Sequence, residues 1–94
     1  PRDTELPHPV GIVIGHNVEI GSNVLIRQNV TLGRSEPDPD AGYPTIADNA
    51  SIGAGTVVLG DINLGEGCTT GANSVVIDDV SPHATVVGVP AQEK

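Results

Sequence analysis

The sequence predicts a parallel β-helix, a solenoid of triangular cross-section, on three observations. Stepping by six residues from Ile14 gives Ile14, Ile20, Ile26 and Leu32, and after one break Ile46, Ile52, Val58, Leu64, Thr70, Val76 and Pro82; nine of these eleven are aliphatic. The next residue is glycine at six of them (Gly15, Gly21, Gly33, Gly53, Gly65 and Gly71), and outside the break the fourth residue on from each is aliphatic or small, from Val18 and Val24 to Cys68, Ser74, Val80 and Val86. The third observation is composition: the apolar content is almost all Val, Ile, Leu and Ala, with 12 Gly, no Phe, Trp or Met, and Tyr43 as the one aromatic ring. A core made only of branched and small side chains has to be narrow and regular, and that mixture favours short strands with tight corners.

Internal periodicity on this scale is the signature of a repeat architecture. Each hexad supplies one short strand and one corner, and three hexads close a coil. The aliphatic rung points inward and stacks on the rung one coil away, about 4.8 Å along the axis. Glycine after the rung is expected to permit backbone angles that a Cβ would penalise. Helix is excluded because six is not 3.6, and glycine this frequent costs a helix roughly 1 kcal/mol each.

Taken in order, residues 1–94 form one domain of four to five coils. The segment ahead of Ile14 holds His8 between Pro7 and Pro9; six-residue phase puts His8 on the inward column, but no ladder precedes it and its direction is open. The chain opens at Pro1 without a Met, so upstream residues are expected. Residues 34–45, rich in Pro, Asp and Gly, have turn chemistry throughout and read as a protruding loop. Residues 82–94 lose the pattern and are expected to close the open end, which would otherwise expose unpaired strand edges. Leu25, Val57 and Val75, each one residue before a rung, stand outside the inward columns and are expected to pack against a neighbouring prism in a symmetric oligomer.

A formal charge of −8 with four Lys plus Arg argues against nucleic acid and against an acidic membrane surface, since both need clustered cations. The single Cys68 excludes an internal disulfide and fits a reducing compartment; with no signal peptide and no membrane-length apolar run, a cytoplasmic location is expected. The N-x-S/T triplets at Asn29 and Asn49 then read as chance.

The pattern [Ile/Leu/Val]-Gly-x-x-[small]-x resembles the bacterial hexapeptide-repeat acyltransferases, whose shared fold is a left-handed parallel β-helix; the hand comes from that resemblance alone, since crossovers are ordinarily right-handed. Within that superfamily the runs His8-Pro9-Val10-Gly11, Gln28-Asn29-Val30-Thr31-Leu32-Gly33, Ile52-Gly53-Ala54-Gly55, Gly71-Ala72-Asn73-Ser74 and Gly88-Val89-Pro90-Ala91 are similar to the serine acetyltransferase group. The resemblance implies acetyl-CoA as donor, a hydroxyl as acceptor, no metal, and homotrimers with each active site between neighbouring prisms.

His8 matches the family's catalytic histidine. A hydroxyl is a poor nucleophile until its proton is removed, and imidazole suits that task. The family orients this histidine with a carboxylate further upstream, which here precedes Pro1; Glu5 or Asp3 is the substitute within the chain. Gly33, Ala54 and Ala72 match positions where the family's backbone approaches the donor's pantetheine arm, though corner glycines and small column residues are also what any coil needs. Arg34 and Lys94 are the cations available to the donor's phosphates; the family often has Arg or Lys after the Pro-Ala motif, where this chain has Gln92. Serine acetyltransferases place Asp directly before the catalytic His and Arg-His before the Pro that precedes the post-loop rung. This chain has Pro7 in the first place, and Gly42-Tyr43 before Pro44. A sugar or polysaccharide hydroxyl is therefore a rival acceptor, and Tyr43 either lines the acceptor pocket or anchors the loop.

The remaining single residues read as structural: His16 at a solvent-facing corner, His83 in the closing segment, Cys68 as a small inward residue, and Glu36, Asp38 and Asp40 as a solvated loop cluster. A zinc enzyme on such a solenoid, such as a γ-type carbonic anhydrase, needs three converging imidazoles, and His8, His16 and His83 lack the spacing. A non-catalytic assembly or binding module is the rival of another class; such a prism would need neither the His8 motif nor the loop.

Overall fold

The computed structural model describes residues 3–35 and 42–94. Among them lie twelve strands of two or three residues and no helix: β1 Val13–Ile14, β2 Glu19–Ile20, β3 Leu25–Ile26, β4 Thr31–Gly33, β5 Thr45–Ile46, β6 Ser51–Ile52, β7 Val57–Leu59, β8 Asn63–Leu64, β9 Thr69–Thr70, β10 Val75–Val76, β11 Thr85–Val87 and β12 Gln92–Glu93. They form three walls, ordered β1-β4-β7-β10, β2-β5-β8 and β12-β11-β9-β6-β3. Every pairing is parallel except β11 with β12. Each strand alternates one outward and one inward residue, and the inward ones are the expected rungs: Ile14 sits over Leu32, Ile20 over Ile46, Ile26 over Ile52.

Register shows where the repeat is interrupted. Partners are one regular coil apart where Val57 faces Val75 and Thr45 faces Asn63. They are eight residues further apart where Thr31 faces Val57, which is the length the loop adds. The loop's second stem ends sooner than expected, because Thr45 already belongs to β5. Where Thr69 faces Thr85 the coil is two residues short. The rung after Val76 is therefore Val80, bridged to Leu64, and the next is Val86 facing Thr70. Pro82 is a corner residue, which corrects its placement on the ladder. Within 82–94 the coil continues through β11, and the closing element is β12, folded back on it.

The core is the stack of inward residues, with Ile26, Leu32, Ile46, Ile52, Val58, Leu64 and Val76 buried. Ile14, in the first coil, remains 40% exposed because no coil covers it from that side. The glycines that follow the rungs, Gly33 apart, serve close packing rather than unusual backbone angles. An ideal Cβ on Gly53 would lie 2.5 Å from the Thr70 carbonyl oxygen, and one on Gly65 would lie 2.5 Å from the Pro82 nitrogen. Positive φ falls instead two residues later, where Asn23, Asn29, Asn49 and Asn73 turn the corners, as asparagine tolerates.

Candidate active site

The wall β1-β4-β7-β10 has an apolar outer surface. Val13, Thr31, Val57 and Val75 lie in register on it, with Leu59 beside Gly33 at its far margin. Val13 is 58% exposed and Ile77 49% exposed. Leu25, expected to share this role, lies on another wall, facing Ser51.

The edge by which the chain enters this wall carries three of the expected site residues. Main-chain bonds stack its corners: the Asn29 N–H donates to the Val10 carbonyl (2.8 Å), that of Gly55 to Gln28 (3.0 Å) and that of Asn73 to Ala54 (2.8 Å). Ala54 and Ala72 therefore lie one above the other, half-buried and exposed respectively. His8 sits at the same edge in the first coil. Glu5 bridges Leu25 and Gly11 packs on Asn29, so two more residues span this turn than in the coil above. His8 occupies that bulge, exposed, with its carbonyl accepting from the Val10 N–H at 2.7 Å. It is not on the inward column where strict phase would put it; Leu6 takes that place after the Glu5 bridge. Among the described residues no side-chain hydrogen bond or ion pair joins His8 to Asp3 or Glu5, both also exposed or near the surface.

The opposite edge carries Gly33, Arg34 and Tyr43. Gly33 ends β4, and its carbonyl accepts from the Gly60 N–H at 3.0 Å. It differs from the other eleven glycines of the chain. Each of those has a positive φ or a neighbour within 3.4 Å of an added Cβ, whereas among the described residues a Cβ on Gly33 would meet only Leu59 Cδ2, at 3.9 Å. Among the described residues nothing requires a glycine there. The Arg34 Cζ stands 5.7 Å from the centroid of the Tyr43 ring, a cation–π distance. The same ring packs on Gly15, where an added Cβ would lie 2.7 Å from Tyr43 Cδ1. Gly42 packs on Asp61, and Ser35 lies beside Gly60. Tyr43 thus anchors the loop stem to the first coil. Asp61 carries no signal in the sequence, and Gly15 reads there only as a corner glycine, because these contacts exist only through partners across the loop.

Lys94 is elsewhere. Its N–H donates to the Thr85 carbonyl at 2.8 Å on the last coil of the third wall, so it does not share an edge with Arg34. The two edges of the apolar wall are separated by the run from Asn29 to Gly33, on the order of 13 Å of extended chain. One chain therefore holds His8 and Gly33 on opposite sides of an apolar strip.

The wall β2-β5-β8 has the contrary surface. A shallow cavity of about 500 Å³ opens there, lined by Glu19, Gly21, Thr45, Asp48 and Glu66 among others. The Asp48 carboxylate accepts from the Ser22 N–H at 2.7 Å, and that of Asp79 accepts from the Asn63 N–H at 2.8 Å. Carboxylates repel a phosphorylated donor, so this cavity does not suit one. Cys68 is buried, and burial pushes its thiol above the ordinary range, which leaves it unreactive as a thiolate. His16 and His83 are exposed at corners, His83 with a φ of 63°. Among the described residues no three His, Cys, Asp or Glu side chains converge as metal ligands. Glu36, Asp38 and Asp40 lie outside the described residues.

A family model described as bacterial transferase hexapeptide (six repeats) matches residues 43–78. The serine acetyltransferase of Bacillus pumilus is 47% identical over 87 residues, covering 93% of this chain and 40% of that protein. A solved serine acetyltransferase in complex with cysteine superposes with a TM-score of 0.94 at 38% identity, over 97% of this chain and 38% of that one. Another, in complex with CoA, gives 0.89 at 38% identity, over 97% of this chain and 37% of that one. The chain thus spans about 40% of the length of the curated relatives it matches. The likeness carries the hand of the coil: this is a left-handed parallel β-helix.

Proposed function

Because the chain belongs to the hexapeptide-repeat acyltransferases, in the serine acetyltransferase-like group, we propose that it forms the catalytic β-helix of an acetyl-CoA-dependent O-acetyltransferase. The observation that carries this reading is the distribution of residues about one wall. His8, Ala54 and Ala72 line one edge of the apolar strip, and Gly33, Arg34 and Tyr43 the other. A closed ring of three copies, each apolar wall against its neighbour, brings the His8 edge of one to the Gly33 edge of the next. The acceptor and donor then meet between chains.

In that cleft His8 is the general base. Its imidazole takes the proton from the acceptor hydroxyl as the oxygen attacks the thioester carbonyl. The C–O bond forms, the C–S bond breaks, and the departing thiolate receives the proton that His8 carried. The open side of Gly33 leaves room for the pantetheine arm against the main chain, and an N–H there suits the developing oxyanion. Arg34 faces the donor's phosphates from the loop stem, while Tyr43 shapes the acceptor side. Lys94, expected as a second cation for the donor, lies at the third edge beside Thr85 and is not part of this cleft. The proposed reaction uses no metal, and the need for acetyl-CoA, with Cys68 buried and unbonded, favours a cytoplasmic location.

Serine is the first acceptor, on the names of the relatives. A sugar hydroxyl is the second, favoured by Pro7 and Gly42-Tyr43 standing where the family has Asp and Arg-His. Turnover of the full-length protein on serine and on a panel of sugars separates them. His8→Ala is expected to lower thiol release from acetyl-CoA by ~10²–10⁴-fold with the fold intact. Undiminished release by that variant would remove His8 from the chemistry.

A further inference from the structure

The inward columns are aliphatic almost throughout, but hydroxyls interrupt them directly behind the Gly53-Ala54 and Gly71-Ala72 corners. Thr56 and Ser74 are 0% exposed and Thr70 is 2% exposed. Thr70 is the one polar rung between Ile14 and Val86. The hydrogen bonds run in one direction. The Gly53 N–H donates to Thr70 Oγ1 (3.0 Å), shared with the Thr70 carbonyl (3.1 Å). Thr56 Oγ1 lies 3.0 Å from Thr70 Oγ1 and donates its own proton to the Gly71 carbonyl at 3.1 Å. Since the Thr56 proton is committed to Gly71, Thr70 donates to Thr56. Each hydroxyl gives one bond and accepts one, and the chain ends on the two glycines that precede Ala54 and Ala72. One turn further on, Ser74 Oγ accepts from the Gly88 N–H at 3.2 Å.

A solenoid needs no polar rung to stand. Val at both Thr positions would keep the shape and add apolar packing, as it does in the other columns. What the hydroxyl chain adds is direction: it fixes the spacing and tilt of two successive corner peptides from inside the core. We propose that Thr56 and Thr70 are positioning residues for the donor. They hold the Ala54 and Ala72 main chain at the height at which the pantetheine arm is received, which rests on the acetyltransferase reading above.

The experiment is coenzyme A binding by calorimetry on the full-length protein, alongside steady-state kinetics and thermal unfolding. The double variant Thr56→Val/Thr70→Val removes both partners together, so no buried hydroxyl is left unpaired and the melting temperature is expected to hold. Affinity for coenzyme A should fall about three- to ten-fold, the range set by one lost hydrogen bond, with KM for acetyl-CoA rising in parallel and kcat unchanged. Thr56→Ser/Thr70→Ser keeps the hydroxyls and should bind as the wild type does. Unaltered affinity in the Val pair overturns the positioning role while the wild-type turnover leaves the enzyme reading standing. An equal loss in the Ser pair shows that the methyl packing was what mattered, and overturns it too. If the Val pair does not fold, the Ser pair decides: affinity retained supports the hydroxyl chain, affinity lost removes it. A wild type that neither binds coenzyme A nor turns over brings down both readings at once.

Discussion

Two walls of this prism are built alike inside and differently outside. The wall β1-β4-β7-β10 stacks Ile14, Leu32, Val58 and Val76 inward, and the wall β2-β5-β8 with its Val80 bridge stacks Ile20, Ile46, Leu64 and Val80. Outward, the first shows Val13, Thr31, Val57 and Val75, while the second shows Glu19, Thr45, Asn63 and the acids Asp48 and Glu66 near them. Because side chains alternate along a strand, the two sets are independent. The inner set states the fold and is the same on both walls. The outer set states the use, and only the apolar wall has His8 on one margin and Gly33 on the other.

The largest effect expected from that difference is on assembly. Val57→Asp with Val75→Asp puts charge on the apolar wall and should convert the proposed trimer to monomers in sedimentation and abolish most turnover. Asn63→Asp adds one such charge to the acidic wall and should leave both unchanged; a monomeric wild type, or equal damage from both, breaks the comparison. Next comes the shared interior. Leu32→Ala and Leu64→Ala, both fully buried but on different walls, should each cost roughly 2–5 kcal/mol in urea unfolding. If one were silent, the walls would not be equivalent inside. The smallest effect concerns the glycine after the rung. Gly21→Ala meets the Asp48 main-chain nitrogen, 2.8 Å from the added Cβ, and should cost about 1–3 kcal/mol with no change in KM. Gly33→Ala has room within the chain, so stability should hold within about 0.5 kcal/mol while KM for acetyl-CoA rises.

The ladder was legible because a coil repeats its chemistry every six residues and the rungs are aliphatic. The two-residue shortening after Val76 was not, since Val80 and Val86 fit either register: as small residues four on from a rung, or as rungs themselves. Pro82 was read as a rung for that reason. The wall to which an outward residue belongs depends on counting through whole coils, which is why Leu25 was grouped with Val57 and Val75. His8 was recognisable by motif, yet its direction depends on a bulge at a corner that has no repeat to reveal it. The glycine positions are legible in the repeat but their cause is not; crowding by the next coil is a property of the stack, not of the local sequence. Thr56 and Thr70 stood in the columns in plain view, but their bond direction needs coordinates.

The reversal of β12 against β11 has a consequence for how copies of this protein meet. A stack of parallel strands is by nature extendable, and a foreign segment laid on its last turn would lengthen it. Here that turn is covered on two walls: β12 bonds β11, and Val75 is held by Gly88 and Ala91. A parallel strand added from that side would have to displace β12 from β11, or Gly88 and Ala91 from Val75, so those two walls resist lengthening by strand addition.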